Sequence, residues 1–380
     1  MERKAPSHIA VSSVVASNVV VINPGSTSTK FALYAGDQPV FTQTLRHSDE
    51  EMACFKGRAI LEQSDFRRRL IEAELEQRGF KLSQIDAVAG RGGLLKPLAS
   101  GTYRVNDVML EELRRAERGE HASNLGAVIA KGIADDAGVD AYVVDPVSVD
   151  EWPEKARLSG SAQLERQCLS HALNTKAVAK RYARERGVAY SALRLVVAHV
   201  GSGISVSAHE DGRMIDVTNS REEGAFSTER AGTVPAMKLV ELCFSGKHTY
   251  KQIEAMLFRE GGFYSYLGTK DLVEVERRIS AGGEHAELVF DAMVYQIAKE
   301  IGAMSAALRG RLDAILLTGG MAHSEKLVAA LKAHVEWIAP VLVYPGEDEL
   351  QALAEGVLRV LRGEEAGHEY GSQVAAIVTL

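Results

Sequence analysis

Three stretches of the chain occur twice, in the same order. VVVINPGSTST (19–29) has an echo in LVVAHVGSGIS (195–205), setting Asn23-Pro24-Gly25-Ser26 opposite His199-Val200-Gly201-Ser202. IDAVAGRGG (85–93) recurs as LDAILLTGG (312–320), with Arg91-Gly92-Gly93 opposite Thr318-Gly319-Gly320. YVVDP (142–146) loosely matches VLVYP (341–345). A single apolar strand before a glycine turn is common, but an ordered set of them marks an internal duplication. Each copy opens with a hairpin that presents a polar tip. If the copies face each other, two such tips converge on one cleft.

Strand-like runs alternate with helical patterns, which predicts α/β architecture. Strands are expected at 19–22, 30–34, 87–89, 142–144, 195–198, 204–208, 314–317 and 341–344. One helix carries Val289, Met293, Ile297, Ile301, Met304 and Leu308; another carries Leu350, Leu353, Ala354, Val357, Leu358 and Leu361, each set close to one face. At 380 residues the chain has room for two cores. The expected division is 1–146 plus 350–380 for the first domain and 147–349 for the second.

Net charge of −7 argues against nucleic acid as the main partner. The basic run Arg67-Arg68-Arg69 sits among mixed charges, where a solvated helix face is expected. Cys54, Cys168 and Cys243 form no CxxC pair, which suggests a reducing, cytoplasmic setting. No stretch is apolar enough for long enough to span a bilayer. The residues before Val19 read as a ragged extension rather than a signal peptide, because their apolar part runs straight into the first strand.

GSTSTK (25–30) is not a nucleotide-binding P-loop. That pattern needs two glycines bracketing four residues, then Lys and Ser/Thr, at a strand-to-helix junction. Here there is one glycine, Gly25, and Lys30 leads into the strand-like FALY. The tip of this hairpin carries Asn23, Ser26, Thr27, Ser28, Thr29 and Lys30. Hydroxyl-rich tips also arise from turn chemistry alone.

Phosphoryl transfer depends on positioning and electrostatics: glycine-turn amides, hydroxyls, arginine forks, histidine and carboxylate-held Mg²⁺. The chain offers each of these in a loop after a strand. Arg91 precedes a glycine pair and can grip a carboxylate or phosphate bidentately. Arg230, in FSTERAGTVP, lies in a similar loop; the bland alternative is a surface ion pair with Glu229 or Glu222. His199 ends an apolar strand opposite Asn23 in the duplication, and His171 sits near a helix start. Asp145 ends a strand before Pro146, where α/β sheets place ligands but where Asp is also a common turn residue. The trio Glu347-Asp348-Glu349 opens a helix, as the helix dipole alone would favour. Gly319-Gly320 would let backbone approach a nucleotide.

The blocks VVVINPGSTSTKFALY, AGRGGLLKPLASGTY, SHALNTKAVAKRYA, VVAHVGSGISVSAHEDGRMIDV, FSTERAGTVP, LCFSGKHTY, AILLTGGMAHSEKL and VYPGEDELQALAEGVLRVLRGEE resemble, in order, those of the butyrate kinases. These form a branch of the acetate kinase family, within the superfamily of acetate and sugar kinases, chaperone ATPases and actin. The resemblance runs from about Val19 to Tyr370. It implies a duplicated RNase H-like (actin-like ATPase) fold around a nucleotide cleft, ATP/ADP and Mg²⁺ as cofactors, a short-chain carboxylate substrate and a homodimer. By resemblance, Asn23 lies near the metal, with Ser26, Ser28 and Lys30 on the phosphate-facing hairpin and Gly201, Ser202 and Gly203 on its counterpart. Arg91 and Arg230 hold the carboxylate and the migrating phosphoryl, His199 stabilises that group with His171 beside it, and Asp145 lies by metal and substrate. Asp348 or Glu349 completes the metal environment, and Gly319 and Gly320 form the adenosine turn.

There are departures: Ser202 replaces a usual glycine, and Ser170 replaces a common phenylalanine before His171. A kinase for acetate, propionate or a branched acid would share these motifs. A non-catalytic ATP-binding module would keep the hairpins without needing both arginines.

Overall fold

The computed structural model describes residues 16–371, so most of the expected N-terminal extension (1–15) lies outside the described residues. The first sheet contains β1 (Asn18–Pro24), β2 (Ser28–Ala35), β3 (Gln38–Arg46), β4 (Ala87–Arg91), β5 (Thr102–Arg104) and β6 (Asp140–Val144). The second contains β7 (Leu195–Val200), β8 (Ile204–Glu210), β9 (Arg213–Val217), β10 (Ala314–Gly319) and β11 (Val341–Pro345). The short β12 (His368–Glu369) returns to the first sheet. Strand orders are β12-β5-β6-β4-β1-β2-β3 and β11-β10-β7-β8-β9.

The duplication is visible strand for strand. In each sheet an antiparallel three-strand meander (β1-β2-β3, β7-β8-β9) is extended by parallel strands (β4-β6, β10-β11). The first two repeated landmarks hold even in register: Val19 faces Ala87, and their counterparts Leu195 and Ala314 face each other. The third slips by one residue. Ala89 pairs with Tyr142, so the register equivalent of Tyr142 is Leu342, partner of Leu316, and not Val341.

Every expected strand is present. The four unexpected ones are edge or very short strands: β3 alternates between exposed and partly buried residues, β9 is the edge of the second sheet, and β5 and β12 span 3 and 2 residues. Polar edge strands carry too little apolar signal to stand out.

Alternation along β1 explains the layers. Val20 and Ile22 face a core built with Leu125 and Ile129 of the helix Asn124–Ala137. Val19 and Val21 face the opposite core, with Leu353 and Val357 of the helix Glu349–Leu361. That last helix also packs against Ala172–Arg186, which lies on β7 and β10 of the second sheet. Both sheets are therefore joined through a pair of packed helices. Four helices between Ala236 and Ser280, and the long helix Glu284–Ala307, complete the second half. Among the described residues, no helix is long and apolar enough to cross a membrane.

The basic run corrects one expectation. Arg69 is exposed and Arg68 partly so, but Arg67 is fully buried (0% exposed).

Candidate active site

A cleft of about 910 Å³ opens between the β1–β2 tip and the start of the helix Glu349–Leu361. Asn23, Ser26, Ser28 and Lys30 line it from the hairpin, Arg91 from the end of β4, and Glu347, Asp348 and Glu349 from the helix start. Arg91 Nη1 pairs with Glu349 Oε2 at 2.6 Å, and Asn23 Nδ2 donates to the same oxygen. Glu349 is buried and engaged by Arg91 and Asn23, while Asp348, the better match to the expected metal carboxylate, lines the cleft beside it.

The second hairpin is not among the residues that line this cleft; it meets it at Glu347, which His199 bonds. Its turn, Gly201-Ser202-Gly203, is one residue shorter than the first: Val200 pairs with Ile204, while Pro24 pairs with Thr29. His199, at the end of β7, is buried; Nδ1 lies 2.9 Å from Asn174 Oδ1 and Nε2 lies 3.2 Å from Glu347 Oε1. Both ring nitrogens thus face oxygen acceptors. The hydrogen bond from His199 holds the Glu347 carboxyl below its usual range despite burial. His171 stacks on His199 and lies 2.9 Å from Ser205 Oγ. Burial first, then His199, Arg230 and Arg91, keep His171 well below the ordinary histidine pKa.

Arg230 does not make the surface ion pair that its neighbours allow. Glu229 pairs with Lys270 instead, and Arg230 Nη1 donates to the Ser220 carbonyl and hydroxyl at 2.9 and 3.0 Å. Burial lowers its pKa from the ordinary arginine value. Gly203 makes room for it: a Cβ there would lie 2.7 Å from Arg230 Nη1. Ser202 is exposed on the turn, and Ser170 is buried with Oγ 3.7 Å from Met214 Sδ. Gly319 exchanges backbone hydrogen bonds with Gly346, and Gly320 begins a single 3₁₀ turn.

Asp145 has a different neighbourhood. It is buried, with φ of +38°, and accepts from Ser100 Oγ and the Gly101 amide; Lys180 Nζ lies 3.6 Å away. Burial pushes its pKa up, but Lys180, Lys176 and these hydrogen bonds together hold it below the usual value. Its bonds go to this buried set and not to Arg91 or Arg230.

Two residues in or beside the cleft, His121 and Asn174, were not singled out from sequence, and Glu347 was read only as part of the acidic trio. His121 lines the cleft; burial, then Arg91, Arg230 and Arg221, lower its pKa to about 4. Glu347 and Asn174 bond His199. The signals were present but faint: His121 just before a helix, Asn174 three residues after His171, and Glu347 inside an acidic run open to a dipole explanation.

Among the described residues, no group of three or more His, Cys, Asp or Glu is preassembled for a metal. Mg²⁺ needs none: it binds through one or two carboxylates, waters and substrate phosphates. The oxygen donors of Asn23, Asp348 and Glu347 in the cleft suit that chemistry.

The two-sheet, mixed α/β fold is one that solved acetate kinases share. The chain superposes on Porphyromonas gingivalis acetate kinase with a TM-score of 0.73 at 19% identity, covering 90% of this chain and 99% of that one. It superposes on a Francisella tularensis propionate kinase with a TM-score of 0.71 at 17% identity, covering 89% and 98%. For Entamoeba histolytica acetate kinase the values are 0.70 and 16%, covering 90% and 98%. Residues 164–338 match the model of the Acetokinase family. The matched stretch runs from before His171 to just before β11.

Proposed function

We propose that the chain is an acetokinase-family enzyme that transfers the γ-phosphoryl group of ATP to a short-chain carboxylate, with butyrate as the favoured acid. One observation supports the reading: Ser26, Ser28, Lys30 and Arg91 line one cleft with Glu347, whose carboxylate lies 3.2 Å from His199 Nε2 at the end of β7. An arginine fork beside hydroxyls, a lysine and a histidine suits a carboxylate and a migrating phosphoryl. A binding module would need only the hairpins.

In this reading Arg91 orients the acid, its fork holding both carboxylate oxygens. One of those oxygens attacks the γ-phosphorus in line. The bond from phosphorus to the β–γ bridging oxygen breaks, ADP leaves with that electron pair, and acyl phosphate forms without any proton transfer. Arg230 and the Nε2 side of His199 stabilise charge on the equatorial oxygens, and neutral His171 buttresses the His199 ring. Ser26, Ser28 and Lys30 hold phosphates on one wall, and the Gly201–Gly203 turn holds them on the other. The adenosine falls by Gly319 and Gly320. Mg²⁺, held by Asn23 and Asp348 or its neighbours, would neutralise phosphate charge. Closure of the two halves, divided at 1–146 with 350–380 and 147–349, excludes water that would hydrolyse the product. Asp145 acts in this scheme through its buried lysine contacts, supporting the end of β6.

A homodimer is part of the proposal. Met237, Phe244, Tyr250, Tyr266 and Leu288 are exposed apolar side chains on the second half that such an interface would cover. Acetate, propionate and branched acids remain second readings, since the family's solved relatives include kinases named for the first two. Hydroxamate capture of acyl phosphate from ATP and a panel of C2–C5 acids decides among them. No product with any acid overturns the proposal. Arg91→Lys keeps a cation beside buried Glu349 but loses the fork. Near-normal turnover by this variant would show that the acid is oriented by some other group.

A further inference from the structure

Arg67 is a cation with no exposure and no ion-paired carboxylate among the described residues. Its fork is spent on one loop. Nη1 donates to the carbonyls of Gly25 and Ser28 at 2.8 and 3.1 Å and to Thr29 Oγ1 at 3.0 Å. Nη2 donates to the Ser26 carbonyl at 3.1 Å and to Gln63 Oε1 at 2.8 Å; Nε reaches the same Gln63 oxygen at 3.2 Å. The remaining tip carbonyl, of Thr27, accepts from the His47 amide at 3.0 Å. Every carbonyl from Gly25 to Ser28 is therefore engaged from behind.

That arrangement is poor economy for stability alone. Burying a cation without a counter-charge is costly, and an apolar side chain would fill the space without that penalty. Its consequence for the cleft is specific. The amides of Ser26 and Thr27 have no acceptor among the described residues, and Ser26, Ser28 and Lys30 line the cleft. With the carbonyls turned inward, the tip shows the cleft donors and positive charge.

We propose that Arg67 is a positioning residue that makes the Gly25–Ser28 tip an all-donor cradle for the terminal phosphates, its own charge adding to the field from one layer behind. The inference rests on reading the cleft as a phosphate site. It is tested with Arg67→Met, which removes charge and fork while filling the space, and Arg67→Lys, which keeps the charge. The readouts are melting temperature, calorimetric binding of inorganic tripolyphosphate, and separate KM values for ATP and acid. Arg67→Met is expected to fold, to bind tripolyphosphate at least tenfold more weakly and to lose about 100-fold in kcat/KM for ATP, with KM for the acid unchanged. Arg67→Lys falls between. A purely structural role would lower the melting temperature and leave the ATP and acid parameters moving together; that result, or unchanged tripolyphosphate binding, overturns the inference. If Arg67→Met does not fold, Arg67→Lys and Thr29→Val must show the same ATP-selective loss. Should the wild-type protein make no acyl phosphate yet bind tripolyphosphate in an Arg67-dependent way, the kinase reading fails and the inference stands.

Discussion

His171 and His199 lie ring on ring, their centroids 3.8 Å apart and their planes 8° from parallel. Two imidazolium rings in that geometry would repel strongly, so a neutral His171 suits the stack. Burial and the neighbouring arginines make His171 the ring that stays neutral. The pair is a device for presenting one histidine rigidly, with the other as its backing.

The same physics sets the acid limit of the fold. His171, His121 (about 4) and His209 (about 3) all have pKa values below the ordinary 6.5. His209 illustrates why: burial disfavours its charged form first, and the buried Lys176 ammonium adds repulsion. Between each lowered value and 6.5 the unfolded chain binds more protons, so stability is complete above pH 6.5 and is lost as pH falls towards 4. Melting temperature measured from pH 8 to 4 should drop steeply below 6.5, and less steeply for His209→Gln. A flat profile would contradict the buried neutral rings.

Gly203→Ala should separate activity from stability. The atoms nearest its Cβ would be those of the Arg230 guanidinium, the far end of a side chain rather than backbone, so the side chain and not the fold must shift. The displaced arginine would no longer address the cleft. The expected loss in kcat is about 100-fold, with little change in melting temperature. A variant with full turnover would show that Arg230 need not stand where it does.

Gly90→Ala should have the opposite character. A Cβ at Gly90 would lie 2.1 Å from the Gly126 carbonyl oxygen and 2.3 Å from its carbon, both backbone atoms of the helix packed on β4. Strand and helix would have to part, costing about 3 kcal/mol or more. Chemical denaturation measures this directly.

A buried ion pair offers a fourth test. Lys176 Nζ lies 2.7 Å from Glu151 Oε2, and that oxygen also accepts from the Met214 amide. Lys176→Met strands a buried carboxylate and should cost roughly 3–5 kcal/mol. Adding Glu151→Leu should recover much of it in a double-mutant cycle. If the double variant is as unstable as the single one, packing rather than charge explains the loss.

Short, local and repeated signals were legible in the chain itself. The duplicated strand–glycine landmarks located the paired central strands, and two of the three repeats hold to the residue in hydrogen-bond register. The hairpin tip, Arg91 and the acidic trio were recognisable because each combines a strand end with chemistry in adjacent positions. What sequence could not rank was side-chain environment. Three consecutive arginines look alike in one dimension, yet helix rotation exposes Arg69 and drives Arg67 under the hairpin, 38 to 42 positions away in the chain. Asp145 and Glu349 read equally well as ligand-facing carboxylates; packing against Lys180 in one case and Arg91 in the other set their partners. Strand identity follows from apolar periodicity, a property of neighbours along the chain. Burial and charge pairing depend on which distant segments meet, and the tertiary structure alone decided that.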